Sequence, residues 1–304
     1  MTKPAMRKYT LKDFERAFPD EDACLEWIRQ QRWPERIECP SCHRENKFHR
    51  LRNRKVYCCD YCGHMLSPTA GTILHKSSTS LRSWFYAIFQ MAQTRTGVSA
   101  AQLQRELGVT YKTAWRMFTQ IRKLMKENGL VLFDKVEVDE TYVGGKDANR
   151  HANKRSGKSG RGAGGKTVVA GMAQRGGKAI AVVVPNAQAS TLLPLIARHV
   201  RNDEGTTIYS DELPSYNRVI DLGYQHEVVN HAAKVYVSSG AHTNSIENLW
   251  SHVKRGINGV HHSVSAKYLQ NYLDSYVYRF NHRNDVAPMF ESLLQIVPST
   301  GPST

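Results

Sequence analysis

Three carboxylates, Asp139, Asp211 and Glu247, stand in a chain of 304 residues with 42 Lys and Arg against 27 Asp and Glu, a formal charge of +15. Acids gathered together repel one another, and at least one is driven to hold its proton unless a cation sits between them. A divalent metal meets that need. Mg²⁺ takes hard oxygen ligands and keeps several of its waters, so two or three protein carboxylates suffice. Two such ions roughly 3.5–4 Å apart can activate a nucleophile and stabilise a leaving oxygen at once. Each acid also has a plainer reading. Asp139 could end a strand, Asp211 could cap the turn before Pro214, and Glu247 could be the partner of an Asn244 cap. Glu137, on the face of Asp139, and its neighbour Glu140 are further candidates, or part of a solvent-facing acidic edge.

A second constellation is Cys39-Pro-Ser-Cys42 with Cys59-Asp-Tyr-Cys62. Two CxxC turns at this separation predict a zinc ribbon, with Cys39, Cys42, Cys59 and Cys62 around one tetrahedral ion. All six Cys precede residue 63, unlike the framework of a disulfide-stapled secreted domain. Cys58 is out of phase and is expected to be a free thiol. The basic loop between the pairs, with Arg52 and Arg54, reads as a polyanion contact or as solvated charge, and metal binding would supply most of the folding energy of so small a unit.

The elements that must hold these residues are legible from periodicity. Leu81, Trp84, Phe85, Ile88, Phe89 and Ala92 mark one apolar helical stripe. GVSAAQLQRELGVTYKTAWRMFTQIRKLM has the pattern of a helix-turn-helix: Ser99 and Gln102 as a capping box, Gly108 in the turn, Thr110 as the next cap. Its second helix turns Tyr111, Lys112, Thr113, Arg116, Gln120 and Lys123 outward, residue types that reach base edges and phosphates. The alternative is a packing hairpin. VLFDKVEVDETYV alternates as a strand, Val136 and Val138 on one face and Glu137 and Asp139 on the other. A basic Gly-rich insertion, 144–166, follows.

Next come a hairpin closed at Gly176 and Gly177, the helix ASTLLPLIARHV, a strand ending at Asp211, and a fifth strand in YQHEVVN. The helix HTNSIENLWSHVKRGI carries the stripe Ile246, Leu249, Trp250, Val253 and Ile257, with Glu247 on its flank almost in line with Lys254. If the first and fourth strands are neighbours, Asp139 and Asp211 emerge at one end of the sheet. The last long helix reads as core, with Arg279 and Arg283 as basic residues still able to face a polyanion. The order predicts an α/β multidomain chain with a mixed sheet and helices on its faces. The expected divisions are an N-terminal helix and zinc ribbon over 1–78, a helix-turn-helix over 79–128, a catalytic domain over 129–290 and a tail over 291–304.

A pI near 9.6 and basic residues along the whole length point to nucleic acid, with a solvated basic surface as the plainer alternative. The start MTKPAMRKYT lacks a signal-peptide core and no apolar run reaches about twenty residues, so a cytoplasmic protein is expected.

CxxC pairs followed by SPTAGTILH, then GVSAAQLQRELGVTYKTAWRM, VEVDETYVGG, YSDELPSY and HTNSIENLWSHVKRGI, resemble the DDE transposases of bacterial insertion sequences, specifically the ISXO-type group with an N-terminal zinc ribbon. The resemblance implies an RNase H-like catalytic domain, structural Zn, and two Mg²⁺ ions, with Mn²⁺ as a substitute. It implies metal-dependent nicking at transposon ends and strand transfer by the freed 3′ hydroxyl, with Asp139, Asp211 and Glu247 as the triad. Lys254 follows as the residue that binds DNA near the scissile phosphate, and Arg255 beside it is expected to bind DNA. Some branches of the group are described with Asn as the third ligand, which keeps Asn244 in play, and His231 after the fifth strand could reach the site. Double-stranded DNA of the transposon ends and target is the implied partner, bound by a homodimer or higher oligomer at the nucleoid. A non-catalytic DNA-binding regulator derived from a transposase, or an RNase H-like nuclease or resolvase, are the competing functions.

Overall fold

A computed structural model describes residues 8–52, 54–145, 165–229 and 242–299. The chain divides into two compact units, 1–124 with 284–304, and 125–283. In the first, helices α1 (Leu11–Ala17) and α2 (Glu21–Arg32) start at Thr10 and Asp20, whose side chains accept first-turn N–H groups. The ribbon follows as a short pair, β1 (Ile37–Glu38) with β2 (Glu45–Asn46), and an antiparallel sheet of β3 (Phe48–Leu51), β4 (Val56–Cys59) and β5 (Met65–Leu66). Helices α3 (Leu81–Gln93), α4 (Ala100–Leu107) and α5 (Tyr111–Leu124) complete the run.

Two expected divisions differ. The 78/79 boundary lies inside one unit, where Glu21 of α2 accepts the backbone N–H of Leu81 at 2.8 Å and pairs with Lys55 of the ribbon at 2.9 Å. Residues 291–296 are not simply a tail, because they belong to a helix at Met289–Ile296 that buries Phe290, Leu293 and Leu294. Apolar residues at that spacing need a partner surface. They find it in the first unit, with Phe290 centred 5.6 Å from Phe89 and 5.9 Å from Phe14.

Between α4 and α5 the turn is made by Gly108 at φ 63°, a left-handed conformation that suits glycine. Only half of the expected capping box forms. Ser99 accepts from Gln102 N at 3.1 Å, while the Gln102 side chain turns to Glu106.

The second unit is a five-stranded sheet. The antiparallel strands β6 (Lys135–Val143), β7 (Thr167–Gln174) and β8 (Ala179–Val184) form a meander, and Gly176 at φ 69° makes the β7–β8 turn. Helix α6 (Ala189–His199) leads to β9 (Thr207–Ser210), and a 3₁₀ segment Pro214–Leu222 leads to β10 (Gln225–Val228). The order β10-β9-β6-β7-β8, with β9 parallel to β6 and to β10, is the RNase H-like arrangement.

Helices α7 (Asn244–Gly256) and α8 (Ala266–Asn281) cover one face, packing Ile246, Leu249, Trp250, Leu273 and Tyr276 on Val143, Val169 and Ala173. On the other face α6 and the 3₁₀ segment pack Leu192, Ile196, Tyr216 and Val219 on Val136, Val138, Ala170 and Met172. β7 and β8 are apolar on both sides, as befits strands of a sheet covered on both faces, whereas β6 sets Glu137 and Asp139 on one side and Val136 and Val138 on the other. Arg279 is turned away from solvent. It is 9% exposed, with Nη1 donating to Ser275 O at 2.8 Å. No helix among the described residues is long and apolar enough to cross a membrane.

Candidate active site

The register of β6 and β9 brings two of the three acids together. Lys135 pairs with Thr207, Val136 with Ile208 and Glu137 with Tyr209. Two steps further along, Asp139 stands opposite Asp211. Pairing with β9 stops short of that point, whereas β6 runs on to Val143 against β7. Asp139 is therefore in mid-strand rather than at a strand end, at the fork where β9 parts from β6, and Asp211 is the first residue after β9.

Glu140 completes the cluster. One oxygen each of Asp139, Glu140 and Asp211 lies within 4.8 Å of the others. Alternation turns Asp139 toward the face of α7, where the indole N–H of Trp250 donates to Oδ2 at 2.9 Å. Glu140 takes the opposite face, and its Oε2 accepts the Tyr216 hydroxyl at 3.1 Å. Burial, then the charges of Glu140 and Asp211, push the Asp139 carboxyl up to about 7 against the hydrogen bonds it accepts. Burial and Asp211 push Glu140 upward too. An all-oxygen donor set this close, with Asp139 and Glu140 pushed to hold their protons, fits a hard divalent cation, which would remove the repulsion.

The third expected acid is outside that 4.8 Å group. Glu247 is exposed on α7 and accepts the Thr243 hydroxyl at 3.0 Å. It is not one of the three gathered carboxylates, although it precedes Trp250 by three residues and so neighbours it on the helix surface. Asn244 is the exposed first residue of the same helix, and Lys254 and Arg255 are exposed in its last turn. His231 lies outside the described residues, as do positions 146–164 of the basic insertion.

Glu137 is no solvent-facing edge. It is fully buried, and Oε2 accepts the backbone N–H groups of Ser245 and Ile246 at 2.7 and 3.0 Å. Arg175 Nε donates to Oε1 at 2.9 Å, with its guanidinium over the Tyr209 ring, and His242 Nδ1 lies 3.1 Å from the same oxygen. This carboxylate holds the N-terminus of α7, where the helix dipole favours a negative charge. An acid amid alternating apolar residues was the only signal of it in the sequence.

In the ribbon the four predicted sulfurs converge, each Sγ within 4.8 Å of the others. Cys39 and Cys62 are 3.5 Å apart, and Cys42 and Cys59 4.0 Å. Tetrahedral zinc with bonds near 2.3 Å requires about 3.8 Å between sulfurs, so the donor set fits. Each turn closes alike, His43 N donating to Cys39 O at 2.8 Å and Gly63 N to Cys59 O at 3.0 Å. Burial raises the Cys59 thiol, but N–H groups of Cys62 and Tyr61 and the neighbouring sulfurs outweigh it and bring the thiol down to about 6. Cys58 stays apart, its thiol against Gly63 O at 3.4 Å. Arg52 and Arg54 are exposed at the β3–β4 tip. On α5, Tyr111, Lys112, Arg116 and Lys123 are exposed and Thr113 is half-buried.

The ISXO2-like transposase domain matches residues 131–281, which hold all these carboxylates, and the transposase zinc-ribbon domain of the same group matches 19–65. An uncharacterized transposase-like protein of Haemophilus influenzae is 31% identical over 121 residues, 40% of this chain and 94% of that protein. The chain belongs to the ISXO2-like transposase family. The transposase is also 29% identical over 274 residues to an uncharacterized protein in transposable element ISH50 of Halobacterium salinarum, covering 87% of this chain and 92% of that one. Similar solved structures include the Mos1 strand transfer complex, at 12% identity over 72% of this chain and 78% of that one, with a TM-score of 0.32. Another is a simian T-cell lymphotropic virus intasome, at 13% identity over 64% of each chain, with a TM-score of 0.29. Membership makes this an insertion-sequence transposase with a zinc-ribbon module.

Proposed function

We propose that the transposase binds the terminal repeats of its element as double-stranded DNA, cuts a strand there and joins the freed 3′ end to target DNA, with Asp139, Asp211 and Glu247 as catalytic carboxylates. The alignment of Asp139 with Asp211 across the β6–β9 fork, in a chain of charge +15, carries this reading. Anions facing a polyanion are repelled unless metal occupies the gap, so a protein that only bound DNA would gain nothing from them. The three acids would hold two Mg²⁺ ions, or Mn²⁺ in their place. When bound, the ions supply activation of the attacking oxygen and stabilisation of the leaving one. Lys254 and Arg255 would bind DNA beside the scissile phosphate. Tyr111, Lys112, Thr113, Arg116 and Lys123 of a helix-turn-helix read the element's end, and Arg52 and Arg54 hold the backbone. The structural ribbon zinc is held by Cys39, Cys42, Cys59 and Cys62. Joining two ends requires a dimer or higher oligomer on DNA, acting at the cytoplasmic nucleoid.

The position of Glu140 favours a second assignment of the third carboxylate, since its oxygen is gathered with those of Asp139 and Asp211. Cleavage of an end-containing duplex with Mg²⁺ decides both questions. Asp139→Ala is expected to abolish product, and equal product from wild type and variant would end the enzyme reading. Glu247→Gln and Glu140→Gln, run side by side, assign the third ligand to whichever change removes cleavage while DNA binding persists.

A further inference from the structure

Across the β6–β7 ladder the residue paired with Asp139 is Gly171. A side chain there is excluded by contact rather than by backbone conformation. A Cβ on Gly171 would lie 2.3 and 2.5 Å from two ring carbons of Trp250 and 2.8 Å from the end of Ile246. The ring carbons belong to a rigid indole packed in the core, itself 4% exposed, so the ring would have to move. The missing side chain is what lets the indole come up against the sheet beside Asp139. In that seat its Nε1–H donates to Asp139 Oδ2 at 2.9 Å, and the backbone N–H of Glu140 donates to Oδ1 at 2.8 Å. A carboxylate held at both oxygens has its plane set.

We propose that Trp250 is a positioning residue for Asp139: the indole, admitted by Gly171, fixes the orientation in which that carboxylate meets a divalent cation shared with Asp211. This rests on the metal-site reading of Asp139 and Asp211 given above. It also gives α7 a role besides carrying Glu247, because the helix that brings that acid toward the fork holds the first acid in place. Hydrogen bonds to the non-ligating side of a metal ligand typically control about 10–100-fold in metal affinity.

The test uses the full-length, zinc-loaded protein, because its readout must not depend on knowing the DNA end. The chain has five Trp, so a ¹⁵N spectrum contains five indole N–H resonances, and Trp250→Phe assigns one by its loss. Titration of wild type with Mg²⁺ should move the Trp250 resonance well beyond the other four. Calorimetry should then find Mg²⁺ bound roughly tenfold or more weakly by Trp250→Phe, which keeps an aromatic ring over Gly171 but has no N–H. Gly171→Ala should weaken binding similarly with the N–H still present but displaced, its indole resonance shifted before any metal is added. Circular dichroism and zinc content unchanged in Trp250→Phe exclude unfolding as the cause. Equal Mg²⁺ affinity in wild type and a folded Trp250→Phe would overturn the positioning role and leave the metal site standing. No Mg²⁺ binding by wild type, with the Trp250 resonance unmoved, would overturn the site itself.

Discussion

Asp139 shows how a single residue's chemistry is set by what surrounds it. Without divalent metal its folded carboxyl keeps a proton up to about pH 7, whereas an unfolded aspartate releases it near 3.9. Between those values the native state binds more protons than the unfolded one. Stability is therefore greatest below the unfolded value and falls as pH rises toward 7. Asp139→Asn removes the charge and with it this dependence. In metal-free protein at pH 8 the variant should melt about 2–4 °C above wild type, on the order of 1 kcal/mol once solvent access to the site is allowed for. At pH 4 the two should converge. A scan in which the gap is the same at both pH values would refute the account. Glu140 lacks this much burial and should contribute less.

At the level of elements, α7 is held by one buried carboxylate and the zinc ribbon by one cluster of four sulfurs. Glu137 joins the start of α7 to β6 and neutralises Arg175. Removing one partner of a buried pair leaves an uncompensated charge, typically at a cost of about 3–5 kcal/mol. Glu137→Gln should accordingly lower the melting temperature far more than Glu247→Gln, whose side chain is exposed and bonds only a neighbouring hydroxyl among the contacts described. Similar thermal curves for the two variants would contradict the clamp. The ribbon strands are two to four residues long, too short to persist without their metal. Analysis should find about one zinc per chain, and strong chelation should abolish the amide protection of β3–β5. Retained protection would mean that the sulfurs are not what holds this module.

For the whole molecule, the excess of 42 basic over 27 acidic side chains makes DNA affinity a matter of counterion release. Its logarithm should fall linearly and steeply with the logarithm of salt concentration. Arg116→Ala and Lys123→Ala should each reduce that slope by about one if they contact phosphate. Unchanged slopes in a binding titration would move the DNA interface away from α5.

The sequence by itself determined the features whose physics is local. A CxxC turn aims both sulfurs inward whatever lies around it, and the four predicted cysteines do converge. Period two marked Val136 and Val138 against Glu137 and Asp139, and the turns at Gly108 and Gly176 stand where glycine allowed a left-handed backbone. Tertiary structure alone decided what depends on pairing distant segments. The β6–β9 register, set by residues some seventy apart, aligned Asp139 with Asp211, and pairing with β7 continued β6 past Asp139. The docking of α7 buried Glu137 and seated Trp250 on Gly171. The end of β9 brought Asp211 to Asp139 and its neighbour Glu140, and the C-terminal helix joined the first unit. Periodicity reports which face of an element is apolar, but not which partner covers it, and the partner is what gives a buried carboxylate its role.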